Sequence, residues 1–360
     1  MGSLLMLLAS ISLYIIHYKE FGFYSTNLLD LYKIKSMSVG TQHTLFFAFA
    51  LAFAIKVPLW PFHTWLPHAH TEAPTSGSVL LAGVLLKMGT YGLLRFALPL
   101  FPLALSTFSP ILTTCAVIGI IYGALTAWMQ PDAKKLVAYS SVSHLGFVVI
   151  GLVVLLDGKL SVEALTGATY QMINHGLSTG ALFFLVGMIY ERRHTRMLSD
   201  FGGLAQVMPW FAIMLIIATL GSVGLPGTGG FVGEFLILIG VFKMNPIVAI
   251  LASTGVVLGA IYMLTLCKKI LFGPIEHKEN AVLRDMTLNE RLYMIPIAVL
   301  IIATGIYPNF FLDKVRPSLT HLAENIMSYQ LDVATDAASP HSDQQTRVGD
   351  SSSLLHKGGF

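Results

Sequence analysis

The chain has 360 residues, of which 54% are hydrophobic and only 11% are charged, with a formal net charge of +3. Soluble domains carry about 25% charged residues, so this composition excludes an ordinary water-facing globule and indicates a polytopic membrane protein. No basic run is dense enough for a nucleic-acid partner. Cys115 and Cys267 lie in apolar segments and provide neither a disulfide framework nor a metal motif. No glycine-rich phosphate loop follows a predicted strand, which argues against a nucleotide or flavin site.

Apolar segments predict an all-α fold with about nine transmembrane helices, because a bilayer core of about 30 Å needs roughly 20 apolar residues per helix. The predicted spans are residues 3–17, 44–66, 76–98, 109–129, 135–156, 164–190, 208–242, 246–271 and 289–307. The first span begins so close to Met1 that its N-terminal part is expected to be missing. Residues 1–330 are predicted to form an N-terminally truncated transmembrane domain. Residues 331–360 are polar and aperiodic, which predicts a disordered tail.

Two of these spans contain helix-breaking residues. Pro58 and Pro61 lie in the second span, and the sequence GLPGTGG around Pro226 interrupts the seventh. Irregular backbone at membrane depth is tolerated only where protein or a water-lined cavity surrounds it, so both breaks predict broken helices beside a polar interior. Lysine and arginine are concentrated in the loops near residues 134, 193 and 278, which predicts that these loops lie inside and the C-terminus outside.

Charged residues within the apolar spans are the strongest functional signal, since a charge at the bilayer centre costs roughly 2.5–3.5 kcal/mol. Lys56 precedes the first break, Lys87 lies in the middle of the third span, and Glu234 follows the second break. Burial disfavours the charged form of an amine, so a lysine such as Lys87 can load and release a proton. The structural alternatives are snorkelling of the lysines to the membrane surface and capping of a half-helix by Glu234.

Three histidines accompany these charges. His144 and His175 lie in the middle of the fifth and sixth spans, and His63 follows Lys56 by about two helical turns. Histidine changes charge near neutral pH and can therefore pass protons between lysines; the alternative for each is a buried histidine bonded to a backbone carbonyl. Together the six residues predict a proton relay inside the bundle. The pair His68 and His70 is only weak support for a metal site.

Three groups of motifs resemble the proton-translocating family shared by complex I and Mrp-type antiporters. They are IKVPLWPFHTWLP with HTEAPT (55–67 and 70–75), GSVLLAGVLLK with AYSSVSHLG (77–87 and 138–146), and GLPGTGGFVGEF (224–235). The resemblance implies inverted repeats of about five helices, each with one broken helix. It further implies that Lys56, Lys87 and Glu234 carry protons, while His63, His144 and His175 line the axis between them.

The resemblance also implies a membrane-arm subunit of NADH:quinone oxidoreductase, in which electron transfer from NADH to quinone drives proton pumping. Flavin and iron–sulfur clusters then belong to other subunits, and this chain holds no cofactor. The partners that the resemblance implies are the neighbouring antiporter-like subunits and the lipid of the bacterial plasma membrane or the mitochondrial inner membrane.

Alternatives to this interpretation remain open. Most antiporter-like relatives have lysine at the position of Glu234, so Glu234 argues against the main alternative, a Mrp-type sodium/proton antiporter subunit. The intact relay residues argue against a non-catalytic scaffold. In the family a glutamate on an upstream helix pairs with the lysine at Lys56, and no residue of this chain matches it. We therefore expect the chain to be a fragment, a misassigned start or one piece of a split subunit.

Overall fold

The computed structural model describes residues 2–338, with side chains described as far as Leu331. In chain order the helices are α1 (Gly2–Phe21), α2 (Leu28–Leu31), α3 (Val39–Lys56), α4 (Trp65–Glu72), α5 (Thr75–Leu80), α6 (Lys87–Gly92), α7 (Leu98–Leu100), α8 (Pro102–Trp128), α9 (Ala133–Val153), α10 (Val162–Arg193), α11 (Leu204–Val207), α12 (Pro209–Val223), α13 (Gly229–Met244), α14 (Pro246–Leu271), α15 (Lys278–Ala281), α16 (Leu288–Ile306) and α17 (Asn309–Ala338). The remaining elements are two π-helical segments (Leu81–Leu85 and Leu93–Ala97), a 3₁₀ helix (Leu198–Asp200) and the strands β1 (Leu155–Leu156) and β2 (Lys159–Leu160).

The predicted spans correspond closely to these helices. Eight described helices are long and apolar enough to cross a membrane, namely α1, α3, the continuous helix Thr75–Leu100, α8, α9, α10, α14 and α16. The remaining predicted span, residues 208–242, is the discontinuous pair α12 and α13. The prediction of an all-helical membrane protein with about nine spans is therefore confirmed. The hairpin of β1 and β2, which pairs Leu155 with Leu160, is an addition that the sequence did not predict.

The first break separates α3 from α4. The predicted second span, 44–66, ends as a regular helix at Lys56, and helix resumes only at Trp65. Proline lacks a backbone donor and cannot continue the hydrogen-bond ladder, which accounts for the interruption at Pro58 and Pro61. The indole nitrogen of Trp65 donates to the carbonyl of Ile55 at 2.9 Å. This bond satisfies one of the last carbonyls of α3 from across the break.

The second break separates α12 from α13. Gly224 follows α12 with φ of 76°, a left-handed conformation that glycine adopts without strain. A methyl group on Gly230 would lie 2.3 Å from the carbonyl oxygen of Gly221. Only glycine therefore lets the start of α13 pack directly against the end of α12, and this places Glu234 in the first turns of the resumed helix.

Helix α9 forms the centre of the bundle. Within its apolar window 94% of the residues are buried, the highest share among the described spans. It packs against α8, α10, α4 and α13. A helix enclosed on all sides needs no polar face, so the sequence of α9 shows no amphipathic periodicity. Its polar side chains, including His144, consequently lie inside the protein.

The basic loops meet at one end of the bundle, here called the basic end. Arg192 makes a two-fold contact with Glu290 at 2.7 and 2.8 Å, which ties α10 to the start of α16. Arg196 lies 3.3 Å from Asp132, and Arg193 donates to the side chain of Asn280 at 2.8 Å. The arginines on which the predicted membrane orientation rests thus also connect the ends of different helices. The orientation in the membrane itself stays a prediction.

At the opposite end, α17 lies across the bundle and contacts α10 and the hairpin. Gln42 donates to the hydroxyl of Tyr329 at 2.9 Å, and Gln330 donates to the carbonyl of Pro102 at 2.9 Å. Helix α17 runs to Ala338, past residue 331 where the tail was predicted to begin, since no glycine or proline interrupts residues 318–338. The rest of the predicted tail, residues 339–360, lies outside the described residues.

Candidate functional site

The centre of the candidate site is a buried contact between Glu234 on α13 and His144 on α9. Oε1 of Glu234 lies 2.7 Å from Nδ1 of His144, and the two side chains are 5% and 6% exposed. Nε2 of Gln171, on α10, donates to the same Oε1 at 3.0 Å. Three helices therefore converge on one carboxylate, and a proton can pass directly between Glu234 and His144.

The second ring nitrogen of His144 also faces polar groups. Nε2 lies 3.2 Å from the hydroxyl of Tyr262 on α14 and 3.4 Å from Oγ of Ser222 on α12. A neutral imidazole that donates from Nδ1 to the carboxylate accepts at Nε2 from a hydroxyl. Because partners face both nitrogens, His144 can take up a proton on one side and release it on the other.

A row of buried polar side chains continues from this pair along α10. Gln171, Asn174, His175 and Thr179 follow the helical spacing and share one face. Gln171 Oε1, Asn174 Oδ1, Thr179 Oγ1 and both ring nitrogens of His175 have no hydrogen-bond partner among the described residues. Buried polar atoms in proteins are nearly always paired with protein or with ordered water, so this face is suited to a hydrated path.

His175 connects this row to His144. The two imidazole centroids are 5.5 Å apart with an interplanar angle of 46°, and both side chains are buried. The structure therefore brings together three of the predicted relay residues, His144, His175 and Glu234, on three different helices.

Lys87 lies beside this cluster. It is buried in α6 between the two π segments, and its Nζ donates to the carbonyl of Ala82. A methyl group on Gly176 would lie 3.8 Å from Cε of Lys87, which places the lysine stem against α10 at the residue after His175. Lys87 is thus the fourth member of the cluster, and π segments are frequent at functional sites.

Lys56 differs from the expectation of an interior site. Its side chain is exposed, and it has no ion pair or hydrogen bond with the described residues. The buried stripe of α3 runs through Phe49 and Phe53 and continues to Val57 just after the helix, which leaves Lys56 at the edge of that stripe. Its Cβ is nevertheless close to α6, since a methyl group on Gly89 would lie 3.1 Å from this atom. The two predicted lysines therefore belong to contacting helices.

His63 is buried in the first break but is not part of the central cluster. Its ring centroid lies 5.1 Å from that of Tyr122 and 6.4 Å from that of Tyr139. The neighbours of His63 are therefore aromatic rings of α8 and α9.

The two histidines that gave weak support for a metal site lie apart, because His68 is exposed while His70 is buried and stacks on Phe183. The described residues contain no group of three His, Cys, Asp or Glu side chains placed to hold a metal ion.

Two groups of residues were missed by the sequence analysis. Gln171 stands four residues before His175 in an apolar span, a signal that was readable, whereas nothing distinguishes Tyr262 from other membrane tyrosines. At the basic end, Nζ of Lys134 donates to the carbonyl of Ala73 and Arg196 donates to that of Thr71, at 2.9 and 2.6 Å. Helix α4 ends between these carbonyls, so both cations stabilise the end of the first broken helix.

The family model described as the transmembrane region of NADH:quinone oxidoreductase and Mrp antiporters matches residues 1–259. The chain belongs to this family. It is 42% identical over 342 residues to NADH-quinone oxidoreductase subunit M of Rhodobacter capsulatus, an alignment that covers 93% of this chain and 65% of the relative. It is 43% identical over 325 residues to NADH-ubiquinone oxidoreductase chain 4 of Chondrus crispus, covering 90% of this chain and 64% of the relative.

Solved structures have the same fold. A chain of respiratory complex I from Thermus thermophilus with bound NADH superposes with a TM-score of 0.81 at 33% identity, covering 90% of this chain and 67% of that chain. A chain of the Mrp complex from Dietzia sp. DQ12-45-1b superposes with a TM-score of 0.76 at 18% identity, covering 91% and 67%. These matches confirm the antiporter-like fold that the motifs predicted. The chain spans about 65% of the length of the curated relatives named above.

Proposed function

We propose that this chain is a proton-translocating membrane-arm subunit of an NADH:quinone oxidoreductase, in the position that subunit M occupies in its relatives. The observation that carries the proposal is the buried Glu234–His144 contact at 2.7 Å, extended by His175 and Lys87. Charged groups are expensive at membrane depth and persist mainly on ion or proton routes. The identity of 42% to subunit M of Rhodobacter capsulatus supports the same assignment.

In this proposal protons move along the sequence Lys87, His175, His144 and Glu234. Lys87 exchanges a proton with the hydrated face of α10, and His175 passes it towards His144. His144 then transfers it from Nδ1 to Oε1 of Glu234 across the 2.7 Å contact. Gln171 holds the carboxylate in line, because its amide donates to the oxygen that accepts the proton. Each step requires only groups that titrate or that bind water.

Electron transfer takes place elsewhere in the proposed assembly. NADH and quinone are substrates of the whole complex, and its flavin and iron–sulfur clusters belong to other subunits. The exposed face around Lys56 is the surface at which further transmembrane helices of the assembly, including one with a carboxylate partner for this amine, pack against α3. His63, buried against Tyr122 and Tyr139, stays a proposed relay residue without a described contact to the central cluster. The membrane is the bacterial plasma membrane or the mitochondrial inner membrane.

The alternative is a Mrp-type sodium/proton antiporter subunit. The Dietzia structure is only 18% identical, so it supports the fold and not this activity. The resemblance implies a lysine at this position in other antiporter-like subunits, so Glu234 favours the first assignment. The proposed relay consists of an amine, two imidazoles and a carboxylate, which all exchange protons, while the amide of Gln171 only holds the carboxylate.

The test is proton pumping by the assembled complex in sealed vesicles, driven by NADH in the presence of a quinone. Glu234→Gln is compared with Glu324→Gln, which removes an exposed carboxylate on α17. We expect the first variant to lose most of its pumping and the second to retain it. Equal pumping by both would overturn the proposal, and a sodium gradient formed without NADH oxidation would favour the antiporter.

A further inference from the structure

A cavity lined by cationic side chains lies between α17 and the spanning helices. It is at the opposite end of the bundle from the loops that form the basic end. It has a volume of about 570 Å³ and is enclosed by α17, the segment that contains Tyr32 and Lys35, and the last turns of the Thr75–Leu100 helix. Helix α17 is amphipathic and is not among the described helices apolar enough to span a membrane. Such a helix lies along the membrane surface, so the cavity opens at the level of the lipid headgroups.

The charge of this cavity is uniformly positive. Lys35, Arg95 and Lys314 line it together with His321, and none of the described residues that line it is an aspartate or a glutamate. The three cations have no ion-pair partner within residues 2–331. Asp30, five residues before Lys35, is paired with Lys33, and Glu20 accepts from the backbone N–H groups of Lys35 and Ser36. Arg95 and Lys314 face the rings of Tyr32 and Phe310, which attract the two cations but carry no opposite charge.

Most of the remaining cavity wall is apolar. Six aliphatic side chains line the cavity: Leu29, Leu94, Val315, Leu319, Leu322 and Ile326. Hydroxyl and amide groups of Ser318, Asn325 and Tyr329 stand beside the cations. Arg95 is held in place, because its guanidinium carbon lies 5.8 Å above the Tyr32 ring and its carbonyl accepts from the Tyr32 hydroxyl at 2.5 Å. Tyrosines are enriched at this depth of a membrane protein.

We propose that this cavity binds one anionic phospholipid, whose phosphate lies between Arg95 and Lys314 and whose acyl chain lies along the aliphatic wall. A free inorganic anion would satisfy the charges but would leave that wall without a partner. A zwitterionic lipid would fill the wall but would place its own cation among three that have no ion-pair partner within the described residues. An anionic glycerophospholipid matches both features, and it joins α17 to the spanning helices.

The test uses the purified complex that contains the full chain, stripped of lipid in detergent and then titrated with phosphatidylglycerol or with phosphatidylcholine of the same acyl chains. Lipids retained per complex are counted by native mass spectrometry. The variant Arg95→Gln/Lys314→Gln is compared with Arg316→Gln, which removes an exposed cation beside Asp313 and Glu324 on another face of α17. Since each basic side chain near a membrane surface contributes about fivefold to affinity, the double variant is expected to bind phosphatidylglycerol roughly 25-fold more weakly.

The matched variant Arg316→Gln is expected to bind phosphatidylglycerol as the unmodified complex does. If the double variant does not assemble, Lys314→Gln alone gives the same comparison, because Lys314 is exposed on the helix surface. Equal retention of phosphatidylcholine, displacement by excess inorganic phosphate, or a protein segment seen to fill the cavity in the complex would each overturn the proposal.

Discussion

Nδ1 of His144 on α9 lies 2.7 Å from Oε1 of Glu234 on α13. The contact joins a continuous, fully enclosed helix to a half-helix that begins at a glycine break. Helix α9 brings a histidine into the centre of the bundle because all its faces are buried, and the break lets α13 bring its carboxylate to the same depth. The fold therefore assembles the pair from one continuous helix and one interrupted helix.

For Glu234 we predict that Gln impairs pumping more than Asp does. The amide cannot titrate, and removal of a proton-transfer group commonly costs roughly 10²–10⁴-fold in the transfer step. Asp keeps the carboxylate but lies one methylene further from His144, so a measurable part of the activity remains. NADH-driven acidification of sealed vesicles measures both variants. Wild-type pumping by Glu234→Gln would leave Glu234 only as a structural partner of His144 and Gln171.

Lys87→Ala is expected to remove most proton pumping and most NADH-driven quinone reduction while the complex still assembles. The Lys87 stem lies against α10 at Gly176, the residue after His175, and its loss leaves no basic group on α6 to carry the proton. Lys268→Ala, at an exposed position near the end of α14, is the matched control and should behave like wild type. A Lys87→Ala complex that pumps normally would contradict the relay.

The sequence was sufficient to locate the spans, both breaks and the buried ionisable residues, because each rests on local chemistry. Apolar length defines a span, proline and glycine interrupt it, and a charge within it needs a polar neighbour. Tyr262 could not be predicted, since its role depends only on the side chain it faces. The exposure of Lys56 could not be predicted either, because it depends on how the stripe of Phe49, Phe53 and Val57 turns α3 against the bundle.

The contact between α10 and the Thr75–Leu100 helix provides a prediction about stability. A methyl group on Gly176 would lie 2.7 Å from the carbonyl oxygen of Gly83, a backbone atom that cannot move aside cheaply. Overpacking of this kind typically costs about 1–3 kcal/mol. Gly180, one turn further along α10, has no atom within 4 Å of such a methyl group. Gly176→Ala should therefore lower the thermal stability of the purified complex, whereas Gly180→Ala should maintain or raise it.

Activity separates this effect from simple destabilisation. Because Gly176 sets the distance between Lys87 and α10, Gly176→Ala should reduce pumping even at temperatures at which the complex is fully folded. If Gly176→Ala and Gly180→Ala have the same melting temperature and the same pumping rate, the close approach of α10 to the Thr75–Leu100 helix is not required for stability or for pumping.

Asp132 has two roles at the basic end that substitution can separate. Its Oδ1 accepts from the backbone N–H groups of Lys134 and Lys135 and so caps α9, while its Oδ2 lies 3.3 Å from Arg196. Asn caps a helix about as well as Asp, and loss of the cap to Ala costs about 0.5–2 kcal/mol. Asp132→Asn should thus retain most of the stability that Asp132→Ala loses. Thermal melts of the purified complex measure this difference. If both variants melt at the same lowered temperature, the contact with Arg196, which holds the end of α4, is the dominant role of Asp132 and the cap is secondary.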